Sequence, residues 1–350
     1  MVPQSHPVPP SQGRVEFAMS PEPSKASVSP MRRFNLMLLA FASIVLLLML
    51  LGIDWQKLVH SFLQGVRYWP LLLVPYGLTS YFWAVSWNCL LAGKAGCPPL
   101  RRLFLLRLAG ESLNQLTPTA SLGGEPFKAL RLHAEGVAWH EATASLVIHK
   151  ALMVISLVLY ILLSLAMIPT ALPGISPHLA WFSCLGTLLL GTAGCAFVVL
   201  QRRNPCTVLI GLLERVNLCP AVLRTKAPDF AALDAALAAF YRDHAGAGLL
   251  ALLFYLLGWM VHVVEVCLIF WLLGHPIGLS LALCLDALSQ LIAGLGFMIP
   301  VSMGVQDGGN ILLSLGFNLG STLGAGFSIL RRFREAFWLL LGLLIVAREK

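Results

Sequence analysis

The sequence predicts an all-α protein that crosses a lipid bilayer several times as a bundle of helices. Apolar residues make up 58% of the 350-residue chain and charged residues only 11%, whereas soluble domains are about 25% charged. Apolar runs of roughly 20 residues recur, and each is long enough to cross about 30 Å of hydrocarbon. Basic residues gather at the ends of these runs, as they do in proteins that sit in a membrane with a fixed orientation.

Six runs are predicted to span the membrane as helices. They are Phe34–Ile53, Trp69–Ala92, Glu141–Ile168, Leu179–Leu200, Gly246–Leu273 and Ser321–Ala347. The connection between the fourth and fifth runs carries six Lys and Arg residues, and the loops Pro169–His178 and Gly274–Gly278 carry none. Because cytoplasmic loops retain Lys and Arg, both termini are expected in the cytoplasm, although Lys57 and Arg67 oppose this orientation.

The chain is expected to form one membrane domain behind a disordered tail. Residues 1–30 are rich in Pro and Ser and cannot bury enough apolar surface to fold. A cleaved signal peptide is not expected, because the first apolar run begins only at Phe34 and no small-residue cleavage pattern follows it. Residues 31–350 form the membrane domain, with an amphipathic cytoplasmic insert at about residues 201–245.

Two further stretches, Arg101–Arg131 and Leu279–Gly320, are interrupted rather than continuous. Each contains a helical half, a proline, a glycine-containing turn, an acidic residue and a second helical half. The interruptions are Thr117-Pro118 with Gly123-Gly124-Glu125, and Ile299-Pro300 with Gly304 and Gln306-Asp307. Backbone groups freed by such breaks are tolerated at membrane depth only inside protein or a wet cavity. Two broken hairpins in inverted arrangement predict a transporter-like site, and an interfacial loop with ordinary kinked spans is the alternative.

The turns offer candidate ligands for an anion. Gly123 and Gly124 leave the backbone bare, so N–H groups at the start of the next helix can face an anion. Lys128 and Arg131, three residues apart, add charge suited to a phosphate. Glu125 can alternatively serve as a first-turn cap of its helix.

Asp307 is expected to act in the same way as Glu125, as the cap of a helix that begins near Gly308.

Ionisable residues inside the predicted spans cost about 2.5 kcal/mol or more each and need an explanation. His262 and Glu265 share a helix face, as do Asp286 and Gln290, and Arg331 can pair with Glu335. The other intramembrane charges are His149, Lys150, Arg332 and Arg334. They form either a polar cavity for a headgroup or protons, or ion pairs that fix helix packing. His149 and Lys150 can alternatively extend to the interface.

Known catalytic and metal motifs are absent. The sequence has no Walker loop, no HExxH and no GxSxG elbow. His262 and Glu265 alone are too few for a metal, which usually needs three protein ligands. The eight cysteines contain no CxxC pair and suit small core positions. We therefore predict no catalytic residue, no metal and no cofactor.

The basic residues lie at the ends of the apolar runs rather than in one stripe, so nucleic acid is not an expected partner.

The motifs resemble the two signatures of a known family. Gly110-Glu111-Ser112-Leu113-Asn114, Pro118, Gly123-Gly124-Glu125 and Arg131 resemble the first signature of the flippase-like membrane proteins, which include the membrane region of lysylphosphatidylglycerol synthases. The second signature is matched by Pro300, Gly304-Val305-Gln306-Asp307-Gly308-Gly309, Arg331-Arg332 and Arg334-Glu335. The Gly-Glu-Ser-x-Asn form is closest to the branch associated with hopanoid biosynthesis.

The resemblance implies a multi-pass protein of the bacterial inner membrane that handles a hopanoid, a phospholipid or a polyprenyl-linked lipid. Membrane lipids, and lipid-biosynthesis enzymes, are the implied partners. Two departures matter. The chain ends just after its last span, so aminoacyl transfer by a soluble half is not expected, and His149-Lys150 stands where many members carry Asp-Arg.

The leading hypothesis is a lipid translocase. Its predicted substrate-binding residues are Asn114, Pro118, Gly123, Gly124, Glu125, Lys128, Arg131, Pro300, Gly304, Gln306 and Asp307. Its polar intramembrane residues are His149, His262, Glu265, Asp286, Arg331, Arg334 and Glu335. Two alternatives stay open. One is a scaffold that recruits lipid-modifying enzymes through Thr207–His244. The other is an isoprenoid-phosphate-dependent transferase that uses Glu125, Glu135 or Glu141 near a metal.

Overall fold

The computed structural model describes residues 66–116, 123–171, 242–295 and 304–349, with isolated positions at 56–63, 181–240 and 302. Within these ranges every element is a helix, so the predicted all-α class is confirmed. A 3-10 helix, η1 (Val66–Leu72), leads directly into the first α-helix. The α-helices are α1 (Leu73–Leu91), α2 (Leu100–Leu116), α3 (Glu125–Ala134), α4 (Trp139–Ala171), α5 (Ala245–Leu272), α6 (Leu279–Leu295), α7 (Val305–Gly316) and α8 (Ser321–Arg348).

Four of the predicted spans coincide with described helices. Of these, α4 with 33 residues and α5 with 28 are long and apolar enough to cross a membrane. Helices α1 and α8 lie at the predicted positions but are less apolar, because α1 contains five aromatic residues together with Thr, Ser and Asn, and α8 carries four charged residues in its middle. The predicted span Phe34–Ile53 and the tail 1–30 lie outside the described residues, as do most of Leu179–Leu200 and of the insert at 201–245.

The long helices turn apolar side chains outward and charged side chains inward. Helix α5 exposes Leu249, Leu253, Leu257 and Val264, and α8 exposes Ile329, Phe333, Phe337, Leu340 and Leu344. Each set repeats at the spacing of one helix face. On the opposite faces Glu265, Arg331 and Arg334 are buried. A soluble protein rarely exposes apolar stripes of this size, whereas a lipid-facing surface requires them.

Both predicted breaks are present. The first hairpin (Leu100–Ala134) joins α2 to α3 through Gly123 and Gly124, and the second hairpin (Leu279–Gly316) joins α6 to α7 through Gly304. Helices α3 and α7 contain 10 and 12 residues, so they are about 15 and 18 Å long and cover only part of the hydrocarbon thickness. Pro118 and Pro300 lie outside the described residues.

Helix α8 packs against both hairpins. It contacts α2 in the first hairpin and α7 in the second, while α5 packs along α1 and α6 packs on α4. Gly342 lies against Ser112 of α2, whereas Arg331 reaches the second hairpin. These two levels of α8 are eleven residues apart, or about 16 Å along the helix axis. The hairpins are therefore connected through α8, each at its own depth.

A close approach of two backbones closes the first hairpin. A Cβ atom placed on Gly124 would lie 1.9 Å from the carbonyl oxygen of Gly110 in α2. No side chain fits at that distance, so both motif glycines have a packing role. Gly110 in turn leaves room for the side chain of Lys128, whose Cδ would lie 2.7 Å from an added Cβ.

Candidate functional site

The buried charges form two centres. The first centre surrounds the turn of the first hairpin and consists of Asn114, Glu125, Lys128 and Lys150, with Arg107 and Glu111 beside them. The second centre surrounds α8 and consists of Arg331, Arg332, Arg334 and Glu335 with Glu265, Asp286 and Asp307. The structure thus brings most of the predicted site residues into two groups.

Asn114 holds the turn of the first hairpin in place. Its Oδ1 accepts a hydrogen bond from the Gly124 N–H at 2.7 Å, and its Nδ2 donates to Glu125 Oε1 at 3.3 Å. One amide side chain therefore satisfies the turn backbone and orients the carboxylate that follows. This accounts physically for the spacing between Asn114 and the Gly-Gly-Glu turn.

Asn114→Ala is expected to lower the free energy of unfolding by about 1–3 kcal/mol, because it leaves the buried Gly124 N–H without its acceptor. Thermal or denaturant unfolding of the detergent-solubilised protein measures the effect. Asn88→Ala is the matched control, since within the described part of the chain the Asn88 side chain has one polar contact, at 4.0 Å from Cys97 Sγ. Equal losses in the two variants would contradict the assigned role.

Glu125 is the acidic residue at the middle of the first centre. Its Oε1 accepts a hydrogen bond from Lys128 Nζ at 2.7 Å and lies 3.9 Å from Lys150 Nζ of α4. Lys128 is buried, with its ammonium 5.7 Å from the centre of the Trp87 ring. Glu111 interacts electrostatically with Arg107, Lys128 and Lys150. Among the described residues of this centre, three basic groups thus face two acidic ones, which leaves an excess positive charge.

Two details of the predicted anion site are wrong. The Gly124 N–H is not open to an anion, because Asn114 accepts its hydrogen bond. Lys128 and Arg131 do not act as a pair. Arg131 points to the end of α8 and donates to the Glu349 carbonyl at 2.8 Å. The reason is that α3 lies between the turn and the end of α8, so residues at one helical spacing meet different partners. The ammonium groups that approach Glu125 at the turn are those of Lys128 and Lys150.

The end of α8 is clamped to the first hairpin. Arg102 of α2 binds both oxygens of the Glu349 carboxylate and also donates to Glu135 at 2.7 Å. The hydrogen bonds from Arg102 lower the pKa of the Glu349 carboxyl below its ordinary value. Bidentate pairs of this kind are the stronger ion pairs.

Glu349→Gln is expected to lower stability by about 1 kcal/mol at neutral pH. Since the folded-state pKa is lowered, the clamp stabilises the fold above the ordinary glutamate pKa, and this contribution is lost as the pH falls through the folded-state value. The melting temperatures of variant and parent should therefore converge in acid. Asp243→Asn removes an exposed pair with Arg242 that contributes little to stability, so its melting temperature should stay close to that of the parent at every pH. A constant difference for Glu349→Gln at all pH values would count against the clamp.

In the second centre, three arginines of α8 each bind a carboxylate on a different helix. Arg331 binds Asp286 of α6 at 2.6 Å, Arg332 binds Asp307 of α7 at 2.9 Å, and Arg334 binds Glu265 of α5 at 2.9 Å. Arg331, Arg334 and their two partners are almost fully buried. Helix α8 is thereby fixed to three neighbours, which agrees with the interpretation that intramembrane charges pair with one another.

The expected pair between Arg331 and Glu335 is wrong. Glu335 pairs with Arg332 at 2.8 Å, while Arg331 turns inward to Asp286. Helix periodicity permits both arrangements, and the position of α6 decides between them.

Asp286 is bound from several sides. Besides Arg331, its Oδ2 accepts a hydrogen bond from Tyr160 of α4 at 2.9 Å and lies 3.6 Å from His262 Nδ1. The His262 ring stacks on Trp83, and the Arg107 guanidinium lies 4.7 Å from the centre of that Trp83 ring. Trp83 thus lies between Arg107, which is beside the first centre, and His262, which is next to Asp286 of the second centre.

The turn of the second hairpin caps itself. Helix α7 begins at Val305, three residues before the expected start, with Gly304 as its N-cap. The Gly304 N–H donates to Asp307 Oδ2 at 3.0 Å, so Asp307 caps the turn from the third helical position and not from the N-cap position that was expected. Buried Gln306 donates to Ser289 at 3.4 Å. The turn is therefore closed by its own side chains.

The side chains of His149 and Lys150 point in different directions. His149 is buried, its Nε2 lies 3.2 Å from the Trp83 carbonyl, and its ring lies beside Trp87. The alternative that it extends to the interface is wrong. Lys150 instead points towards Glu125.

The sequence interpretation missed four contributors: Arg107, Glu111, Tyr160 and Ser289. Arg107 and Glu111 could have been found in the sequence, because they are two charged residues one helical turn apart within the first interrupted stretch. No sequence pattern identified Tyr160 and Ser289, because a polar residue in an apolar helix does not indicate which neighbouring helix it contacts. Among the described residues, no group of three His, Cys, Asp or Glu side chains is arranged to hold a metal ion.

Of three comparisons with known proteins, one gives a match. No curated protein and no solved structure shows a significant match to the chain. Residues 35–342, which include both hairpins and α8 up to Gly342, match the sequence model of one family of integral membrane proteins. The chain belongs to the family of the lysylphosphatidylglycerol synthase TM region.

Proposed function

We propose that this protein is a lipid translocase that uses the first centre to receive the headgroup of a membrane lipid. Membership in a lipid-related membrane family supplies the class of substrate. A hopanoid, a phospholipid and a polyprenyl-linked lipid are the candidate lipids, and the bacterial inner membrane with cytoplasmic termini is the proposed setting.

The observation that carries this proposal is the excess positive charge beside the Gly-Gly-Glu turn. Lys128 and Lys150 both approach Glu125, so the single carboxylate Oε1 is shared between two ammonium groups. A phosphate or carboxylate on a headgroup would balance the positive charge that Glu111 and Glu125 leave in excess among these residues. Ionisable side chains at membrane depth are rare, and they commonly mark the pathway of a substrate or an ion.

The second centre has a different role in this proposal. Its arginines each have a carboxylate partner, so it anchors α8 and offers less to a ligand. Asp307 ties the second turn to α8, and Glu125 ties the first turn to α4. Movement of one hairpin against α8 would then change access to the first centre, as repeat movement does in transporters with broken helices.

The test is lipid transfer in reconstituted vesicles. The parent protein should accelerate the movement of at least one labelled lipid among phosphatidylglycerol, an aminoacylated phospholipid, a polyprenyl phosphate and a hopanoid. Glu125→Ala combined with Asp307→Ala should slow that movement at least tenfold, which corresponds to about 1.4 kcal/mol in the barrier.

Asp243→Ala is the matched control, because Asp243 is an exposed carboxylate paired only with its neighbour Arg242 in the described part of the chain. It should leave transfer unchanged. Full activity of the double variant, or no acceleration of any lipid by folded protein, would overturn the proposal. If cells needed Thr207–His244 but tolerated the hairpin variants, the scaffold alternative would be favoured instead.

A further inference from the structure

A cavity of about 330 Å³ opens where α1 ends and where α4 and α5 begin. By the predicted orientation this end of the bundle faces the cytoplasm. The volume is in the range of sites for small molecules, about 300–1,000 Å³. It would accept a headgroup with the first part of an acyl chain.

The cavity has one apolar and one polar part. Leu90, Ala144, Ile148 and Phe240 form apolar wall, and Lys94, His140, Glu141, Ser145 and His244 supply polar groups. The apolar residues are buried, whereas Lys94 and both histidines are accessible. An amphiphile with a charged head and an apolar body matches this division better than a wholly polar solute does.

The polar part favours an anion. Lys94 binds Glu141 at 3.0 Å, but an ammonium group has three donors, and this one is more than a third exposed. Helix α5 begins at the cavity with His244 as its N-cap, without a side-chain cap hydrogen bond and without an acidic residue in its first turn. The helix itself therefore does not compensate the partial positive charge of that N-terminus, and Asp243, directly before the N-cap, is paired with Arg242.

The cavity also adjoins the first centre. The Trp87 indole N–H donates to Ser145 Oγ in the cavity wall at 3.3 Å, and the same ring lies 5.7 Å from Lys128 Nζ. The Trp87 side chain thus lies between the cavity and the first centre.

We propose that this cavity is a binding site for the phosphate headgroup of an anionic membrane lipid. Lys94, the two histidines and the α5 N-terminus bind the phosphate, and the apolar wall takes the start of an acyl chain. The proposal goes beyond translocation, since lipid binding here is expected even if the chain moves no lipid.

Binding to the full chain in detergent micelles tests it, with dioctanoyl-phosphatidylglycerol, dioctanoyl-phosphatidylcholine and glycerol 3-phosphate as probes. Phosphatidylglycerol should bind most tightly of the three. Lys94→Gln with His244→Gln should weaken its binding about tenfold, and Ala144→Phe, which fills the cavity, should do so without changing charge. Arg101→Gln, which removes an exposed charge near the same end of the bundle outside the cavity, should leave the Kd within about twofold.

Variants are compared only after size-exclusion chromatography shows that they fold. Equal binding of phosphatidylglycerol and phosphatidylcholine, or no effect of both cavity variants, would overturn the site. Binding of glycerol 3-phosphate as tight as that of the lipid would overturn its assignment to a lipid and indicate a free phosphate ester.

Discussion

Asp286→Ala is expected to destabilise the protein by about 3–5 kcal/mol, among the largest effects of any single substitution in the described bundle. The change leaves Arg331 buried without its carboxylate partner, and it also removes the acceptor of the Tyr160 hydroxyl. Breaking one side of a buried ion pair costs far more than the pair contributes, because the remaining charge keeps its desolvation penalty.

A double-mutant cycle separates this cause from simple loss of packing. The cycle consists of Asp286→Leu, Arg331→Met and the two combined. Each single variant should be strongly destabilised, and the combination should recover most of the stability, since replacing a buried pair by apolar residues is often neutral. Denaturant unfolding in mixed micelles supplies the measurement, with Asp243→Ala as the surface control. A double variant as unstable as Asp286→Ala, or a loss below about 1 kcal/mol for Asp286→Ala, would refute the buried-pair account.

Gly124→Ala is expected to cost about 3 kcal/mol or more, at the upper end of the range for overpacking. The added methyl group would meet the Gly110 carbonyl oxygen at 1.9 Å, and a backbone atom cannot move aside as a side chain can. The first hairpin must then open, which also separates Asn114 from Glu125 and lowers lipid transfer.

Gly110→Ala should be milder, because its added methyl group meets the flexible stem of Lys128. Gly294→Ala is the control. Nothing lies within 4 Å of an added Cβ there, so the substitution should be neutral or stabilising by up to about 1 kcal/mol. Thermal unfolding ranks the three variants. Gly124→Ala as stable as Gly294→Ala would show that the two backbones are not in contact.

The family assignment and the all-α membrane class were accessible from the sequence, while the hopanoid branch stays a prediction. Apolar run length and the paired Pro-Gly-acid breaks are local properties, and they located both hairpins within a few residues. The start of α7 was placed three residues too late, because the pattern suggested Asp307 as the cap, whereas Gly304 is the N-cap and Asp307 lies at the third position of the helix.

Local periodicity did not determine the partners of the charges. Arg331 and Glu335 share a helix face, yet Arg331 binds Asp286, forty-five positions earlier in the chain. Lys128 and Arg131 are three residues apart on α3, yet Lys128 points to Glu125 and Arg131 points to the end of α8. The pairing of a charge with a distant helix depends on how the helices are packed, which no window of the sequence contains.

For the described residues, the amino-acid sequence by itself determined where helices form, where they break and that the charges lie inside a membrane bundle, since hydrophobicity, proline and glycine act on their own neighbourhood. Only the tertiary structure decided that Lys128 and Lys150 share Glu125, that α8 distributes its arginines over three helices, and that a cavity opens beside Trp87. Ion pairs and cavities arise between elements, and the competition among possible partners is settled by the distances that packing imposes.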